Sequence, residues 1–181
     1  MIDPLISEAI ALGLAALLLY AAWHKAAFHE GFSAALDDYQ LLPHAIVGPA
    51  AWLLAGCEAL LGLGWLIGSV QPHVALATAG LMTIYALAVA INLWRGRVHI
   101  DCGCGFGTDR STLLSWWLVL RNVVFAGLAL IAGLPTTSRD LGMYDWITLV
   151  VLLAGSVLAF AAASQLASNR AVIASWNARR D

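Results

Sequence analysis

Sorted into apolar and polar positions, the chain is a series of long apolar windows parted by short polar breaks. A helix that crosses a bilayer needs about 20 mostly apolar residues. Five windows meet that length: about Leu5 to Phe28, Ala45 to Val70, Val74 to Trp94, Leu113 to Leu134 and Tyr144 to Leu166. The breaks carry Pro, Gly and charge, as at Leu42-Pro43-His44, Gln71-Pro72-His73, Arg95 to Thr112, and Leu134 to Asp140. The pattern predicts an all-α fold, a polytopic integral-membrane bundle of about five transmembrane helices forming a single membrane domain over 1–181. Between the first two windows, Phe32, Leu36 and Tyr39 recur at helical spacing opposite Asp37, Asp38 and Gln40. This predicts a short helix lying at the membrane interface, the alternative being a polar loop. The first window lacks a basic leader and carries Asp3 and Glu8, so it reads as a retained helix and not as a signal peptide.

Composition strengthens this picture. Of 181 residues 61% are hydrophobic, 11% are charged, and the mean hydropathy is +0.83, whereas soluble domains are roughly a quarter charged. A net charge of −2 and scattered Lys and Arg leave no basic stripe for phosphates, which argues against nucleic-acid binding. The 3 cysteines are too few for a disulfide-dense scaffold. Gly56, Gly62, Gly64 and Gly68 give the second window a small face for close helix approach. Trp23, Trp52, Trp65, Trp94, Trp116, Trp117 and Trp146 lie mostly near window ends and are expected to be interface anchors.

Ionisable and polar groups inside the apolar windows need partners. Glu58 lies in the second window and Arg121 in the fourth, and the simplest expectation pairs them, assisted by Asn92 and Asn122. Such a group could be structural glue or could bias nearby chemistry. Lys25, at the end of the first window, is expected to snorkel to the headgroups. The five histidines have no metal-site spacing with cysteine, and Cys57, inside a window beside Glu58, reads as a small packing residue.

The longest polar break holds the chemistry. In Asp101-Cys102-Gly103-Cys104-Gly105-Phe106-Gly107, glycines make the backbone pliant enough for the two sulfurs to approach. A Cys-x-Cys disulfide closes a small, easily strained ring of the exchange-competent kind, so Cys102 and Cys104 are the candidate redox pair. Arg95, Arg97 and Arg110 favour thiolate, while Asp101 and Asp109 oppose it. Two thiolates one residue apart could also hold a soft metal, although no third ligand completes a shell and no metal site is assigned. Neither a haem-attachment motif nor a thioredoxin CxxC is present.

Taken together, Trp23-His24-Lys25, then Pro49, Glu58 and Gly62, then Asn92 with Arg95-Gly96-Arg97, Cys102-Gly103-Cys104 and Arg121-Asn122 make the chain resemble the MauE proteins of methylamine utilisation, a branch of the DoxX-like membrane family. In many DoxX-like relatives Phe-Gly follows the second cysteine directly, whereas here Gly105 intervenes. The resemblance implies a bacterial inner-membrane protein. It would work with a periplasmic thioredoxin-like partner, MauD, to mature the small (beta) subunit of methylamine dehydrogenase by disulfide formation. More remotely the chain resembles the four-helix bundles of DsbB and vitamin K epoxide reductase. No cofactor is evident, and although quinone would be compatible with this chemistry, the sequence contains no recognisable site for it.

Sidedness is contested within the sequence. With five spans, Lys25, Arg95, Arg97, Arg110, Arg170, Arg179 and Arg180 share one face, and only Arg139 lies on the other. The positive-inside rule would put the cysteines in the cytoplasm, while oxidative maturation asks for the periplasm. The family role favours periplasmic access. Rival functions are a transporter or soft-metal handler built around Glu58 and Arg121, and a non-catalytic assembly scaffold. The sequence leaves open the direction of electron flow and which cysteine attacks.

Overall fold

A computed structural model describes residues 2–67, 71–97, 100 and 114–177. Six helices follow one another: α1 (Pro4–Ala27), α2 (His29–Asp38), α3 (His44–Gly64), α4 (Gln71–Trp94), α5 (Trp116–Ala132) and α6 (Met143–Asn177). Among the described residues the only extended pairing is a single bridge between Ile2 and Thr136. The expected all-helical, multi-pass membrane bundle is therefore what the chain forms.

Four of the helices are long and apolar enough to cross a membrane, over Pro4–Ala27, His44–Gly64, Pro72–Trp94 and Met143–Ala163. The fifth, α5, has 17 residues, or about 25 Å at the α-helical rise, somewhat less than the hydrocarbon core. Its predicted window began at Leu113, but Leu114 is buried in an apolar cluster beside the helix and Ser115 is extended, so the helix starts only at Trp116. The second window also closes early. Trp65 caps α3 and turns inward to donate from its indole Nε1 to Thr78 Oγ1 at 3.0 Å. The last helix runs the other way, past its predicted end at Leu166 to Asn177.

α1 packs along α3 and α4 along α5, and α1 also touches α5 and α6. The core joins Ala11, Leu14, Ala15 and Leu18 of α1 to Ala75, Ala79, Leu81 and Met82 of α4, Ala129 and Ala132 at the end of α5, and Trp65. Small residues permit these approaches. A Cβ on Gly62 would stand 2.8 Å from Leu19 Cγ, one on Gly64 would stand 2.8 Å from Val74, and one on Gly133 would stand 2.5 Å from the Ala75 Cβ. Gly56, expected on the same small face, has open space instead.

The two ends of the bundle differ. At one end, Ile2 exchanges backbone hydrogen bonds with Pro135 and Thr137, and Ser7 Oγ donates to the Ala132 carbonyl. Arg139 there bridges Asp3 and Asp145, which hold its guanidinium more firmly charged, Asp145 contributing most. These contacts fix the starts of α1 and α6 beside the end of α5. A Cβ on Gly13 would stand 3.8 Å from Leu153 Cδ2, so, with their starts side by side, α6 runs in the same direction as α1. The opposite end gathers the end of α1, all of α2, the end of α4 and the start of α5.

Candidate functional site

Cys102 and Cys104, together with Arg110, lie outside the described residues. What the structure describes is the stem from which their segment leaves and to which it returns. α4 ends in a glycine-centred cap: Gly96 has φ 72, its N–H donates to Leu93, and the Arg97 N–H donates to Asn92. This is a Schellman arrangement, in which a left-handed residue lets the chain satisfy the last helical carbonyls and reverse direction. Ile100 then enters an apolar cluster with Tyr39, which caps α2, Val89 of α4, Leu118 of α5, and Leu114. Both flanks of segment 101–113 are thus anchored in one cluster. Just outside it, Trp94 and Trp116 meet edge to face with centroids 6.1 Å apart.

Arg97 reaches sideways from this stem. Its Nη1 donates to the Asp38 carbonyl at 3.4 Å and its Nη2 donates to Gln40 Oε1 in a short hydrogen bond. Gln40 occupies the left-handed region at φ 48, a conformation that a non-glycine residue adopts at some energetic cost. The end of α2 is thereby fastened to the end of α4, and Tyr39 between them is buried at the base of the cysteine segment.

Glu58 is buried and its partner is Lys25, not Arg121. Lys25 Nζ lies 2.6 and 2.7 Å from the two carboxylate oxygens, and Tyr85 donates its hydroxyl to Oε1 at 2.8 Å. The ammonium also lies over the Phe32 ring at 5.1 Å and the Tyr85 ring at 5.5 Å. Lys25 is only 6% exposed and Glu58 1%, so the expected snorkelling of Lys25 is corrected to an inward ion pair. The physical reason is the register of α1 on α3. With Leu19 against Gly62, Lys25 is carried roughly one to two turns further along α1 to the level of Glu58. Two opposite charges taken out of water together, with further hydrogen bonds, are tolerated where either alone would not be.

The asparagines expected to assist Glu58 turn back on their own helices. Asn92 Nδ2 donates to the Ala88 carbonyl and Asn122 Nδ2 to the Leu118 carbonyl, at 3.1 and 3.0 Å. Both are buried, and the carbonyls they bond belong to Leu118 of the stem cluster and to Ala88, which packs against it. Arg95 continues the end of α4 through its N–H to the Ile91 carbonyl. Cys57 is a partly buried free thiol. Trp23, Trp52, Trp94, Trp116, Trp117 and Trp146 are exposed on the bundle, as expected of anchors, whereas Trp65 is a core residue, 1% exposed. No group of three His, Cys, Asp or Glu among the described residues is placed to hold a metal ion.

Sequence reasoning missed Lys25, Tyr85 and Phe32 around Glu58, and Gln40 and Tyr39 beneath the cysteine stem. A lysine within reach of an intramembrane glutamate on the neighbouring helix was a usable signal, since an antiparallel hairpin of the first two spans brings the end of one beside the body of the other.

These features define a class: a multi-pass membrane helical bundle with a buried ion pair in its interior and, at one end, an apolar cluster that holds both flanks of the segment carrying Cys-Gly-Cys. Residues 3–135 match the family described as Methylamine utilisation protein MauE. The chain is 33% identical to the methylamine utilization protein MauE of Paracoccus denitrificans, over 94% of this chain and 96% of that one. It is 38% identical to that of Paracoccus versutus, over 86% and 83%, and 33% identical to that of Methylophilus methylotrophus, over 74% and 70%. The chain belongs to the MauE family, whose members take part in methylamine utilisation. No solved structure matches it.

Proposed function

We propose that this chain is the membrane component of a thiol–disulfide exchange that matures the small (beta) subunit of methylamine dehydrogenase. The observation that carries the reading is the stem of the Cys102–Cys104 segment. In a chain of a methylamine utilisation family, the two residues that bracket the Cys-Gly-Cys segment, Ile100 and Leu114, share one apolar cluster with Tyr39, Val89 and Leu118. The flanks of that segment are held at one end of the bundle, and in this reading a soluble protein meets the pair there.

In this reading the disulfide form of Cys102–Cys104 accepts two electrons from a thioredoxin-like, MauD-like partner. A partner thiolate attacks one sulfur, a mixed disulfide forms, and the second partner thiol resolves it. The partner leaves oxidised and both protons end on Cys102 and Cys104. The protein resides in the bacterial inner membrane with the cysteine end toward the periplasm, where disulfides persist. Arginines beside the stem favour thiolate as the leaving form, and the Lys25–Glu58 pair holds α1, α3 and α4 together beneath it.

The test is the state of the client. Cells carrying Cys102→Ser with Cys104→Ser are expected to accumulate membrane protein at the normal level while the methylamine dehydrogenase small subunit fails to acquire its disulfides. Normal disulfides in that strain would refute the exchange.

A further inference from the structure

We infer that α1 is the segment that carries α3 into the membrane: Lys25 meets Glu58 while the α1–α3 hairpin is entering the bilayer, and without that pairing α3 inserts poorly. The inference stands apart from the thiol-exchange reading, because it holds whichever end of the bundle does the chemistry.

α3 is poorly suited to enter lipid alone. Of the four helices long enough to span, it is the least apolar. Pro49 lies inside it, and Gly48, Gly56, Gly62 and Gly64 contribute no apolar side chain. Glu58 is the heaviest burden, since a charged side chain within a span is among the costliest groups a bilayer accepts. In the finished bundle Glu58 is 1% exposed, and Lys25 Nζ meets both of its carboxylate oxygens, at 2.6 and 2.7 Å. An apolar residue at 58 would let α3 enter by itself. With Glu58 there, entry depends on a cation arriving with it.

Lys25 is the partner at hand when α3 emerges. The chain is made from its N-terminus, so α1 is complete before α3, whereas Tyr85, the other donor to Glu58, follows on α4. Only residues 28–43, α2 among them, separate the two helices. The hairpin also keeps one register along its length. Leu19 meets Gly62, Lys25 meets Glu58, and His29 stacks on Trp52 with ring centroids 4.5 Å apart. Rising numbers on one side meet falling numbers on the other, as in two antiparallel segments that enter as a unit.

The contrast with a role in the finished fold alone gives a decisive set of variants. They are made in the full chain, with Cys57, Cys102 and Cys104 replaced by serine and one reporter cysteine added. The reporter is Leu41→Cys at the α2–α3 connection or His73→Cys near the start of α4, both exposed positions. Sidedness is read on pulse-labelled chains in cells with a membrane-impermeant maleimide, before and after lysis, and stability by melting in detergent. In the parent the two reporters are expected on opposite sides of the membrane. Lys25→Met is expected to raise the fraction of chains whose position 73 lies on the side of position 41 roughly tenfold or more. Lys25→Arg, which keeps the cation, is expected to match the parent. Lys25→Met with Glu58→Leu is expected to regain the parental sidedness although the cation is gone.

Insertion by pairing is overturned if Lys25→Met keeps the parental sidedness and only melts lower, since the pair would then act after α3 has crossed. It is overturned equally if the double variant stays as mixed as Lys25→Met. That result would assign the loss to a missing positive charge at the end of α1 and not to a carboxylate left alone. Client maturation enters neither outcome, so a failure of the thiol-exchange reading leaves this inference untouched.

Discussion

Glu58 shows how far a single residue could be read before the structure was known. Its cost in an apolar helix made a cationic partner necessary, and that need was legible. Its choice of Lys25 was not, because a lysine at a helix end ordinarily reaches outward to water, and only the register of α1 on α3 turns it inward. The same blindness affected Trp65, whose place near a helix end suggested an interface anchor until its indole was found donating to Thr78. Lys25→Met leaves a buried carboxylate with only the Tyr85 hydroxyl, and we expect it to lower stability in detergent by about 3–5 kcal/mol, while Lys25→Met with Glu58→Met recovers much of that loss. Thermal melts of the parent, the two single variants and the double variant check this. Additive losses in the double variant would show that the two side chains do not act as a pair.

Among the helices, the apolar windows located the four described helices long enough to span and the shorter α5, and the spacing of Phe32, Leu36 and Tyr39 located α2. Boundaries were less legible, because what ends a helix here is a side chain finding a place off the axis. Trp65 turns in to end α3, and Leu114 plugs the stem cluster and delays α5. The small face on α3 was read correctly at Gly62 and wrongly at Gly56, since glycine spacing marks a face without saying which neighbour lies against it. Gly62→Ala would place a methyl 2.8 Å from Leu19 Cγ and 3.2 Å from the Leu19 backbone nitrogen. It should destabilise the α1–α3 pair by about 1–3 kcal/mol. Gly56→Ala, which meets open space, should be neutral or slightly stabilising by the ordinary helical preference for alanine. Parallel melting curves for the two variants check the contrast, and equal effects would show that Leu19 does not set the approach of the helices.

At the scale of the whole molecule, the bundle has a closed end and, in the proposed reading, a working end. Arg139, Asp3 and Asp145 tie the starts of α1 and α6 at the first. At the second, α2 and the stem cluster hold the flanks of the cysteine segment. The cysteine pair, which lies outside the described residues, was legible only as a candidate, two thiols one glycine apart. Its support was not, since Tyr39, Ile100 and Leu114 are distant in sequence and converge only when α2, α4 and α5 pack. The account stands on the pair being an accessible disulfide at the working end. Its most direct test is labelling of Cys102 and Cys104 in intact cells with a membrane-impermeant maleimide, with and without prior reduction, in a Cys57→Ser background. We predict labelling only after reduction. Equal labelling without reduction, or none until the cells are lysed, would contradict a periplasmic disulfide.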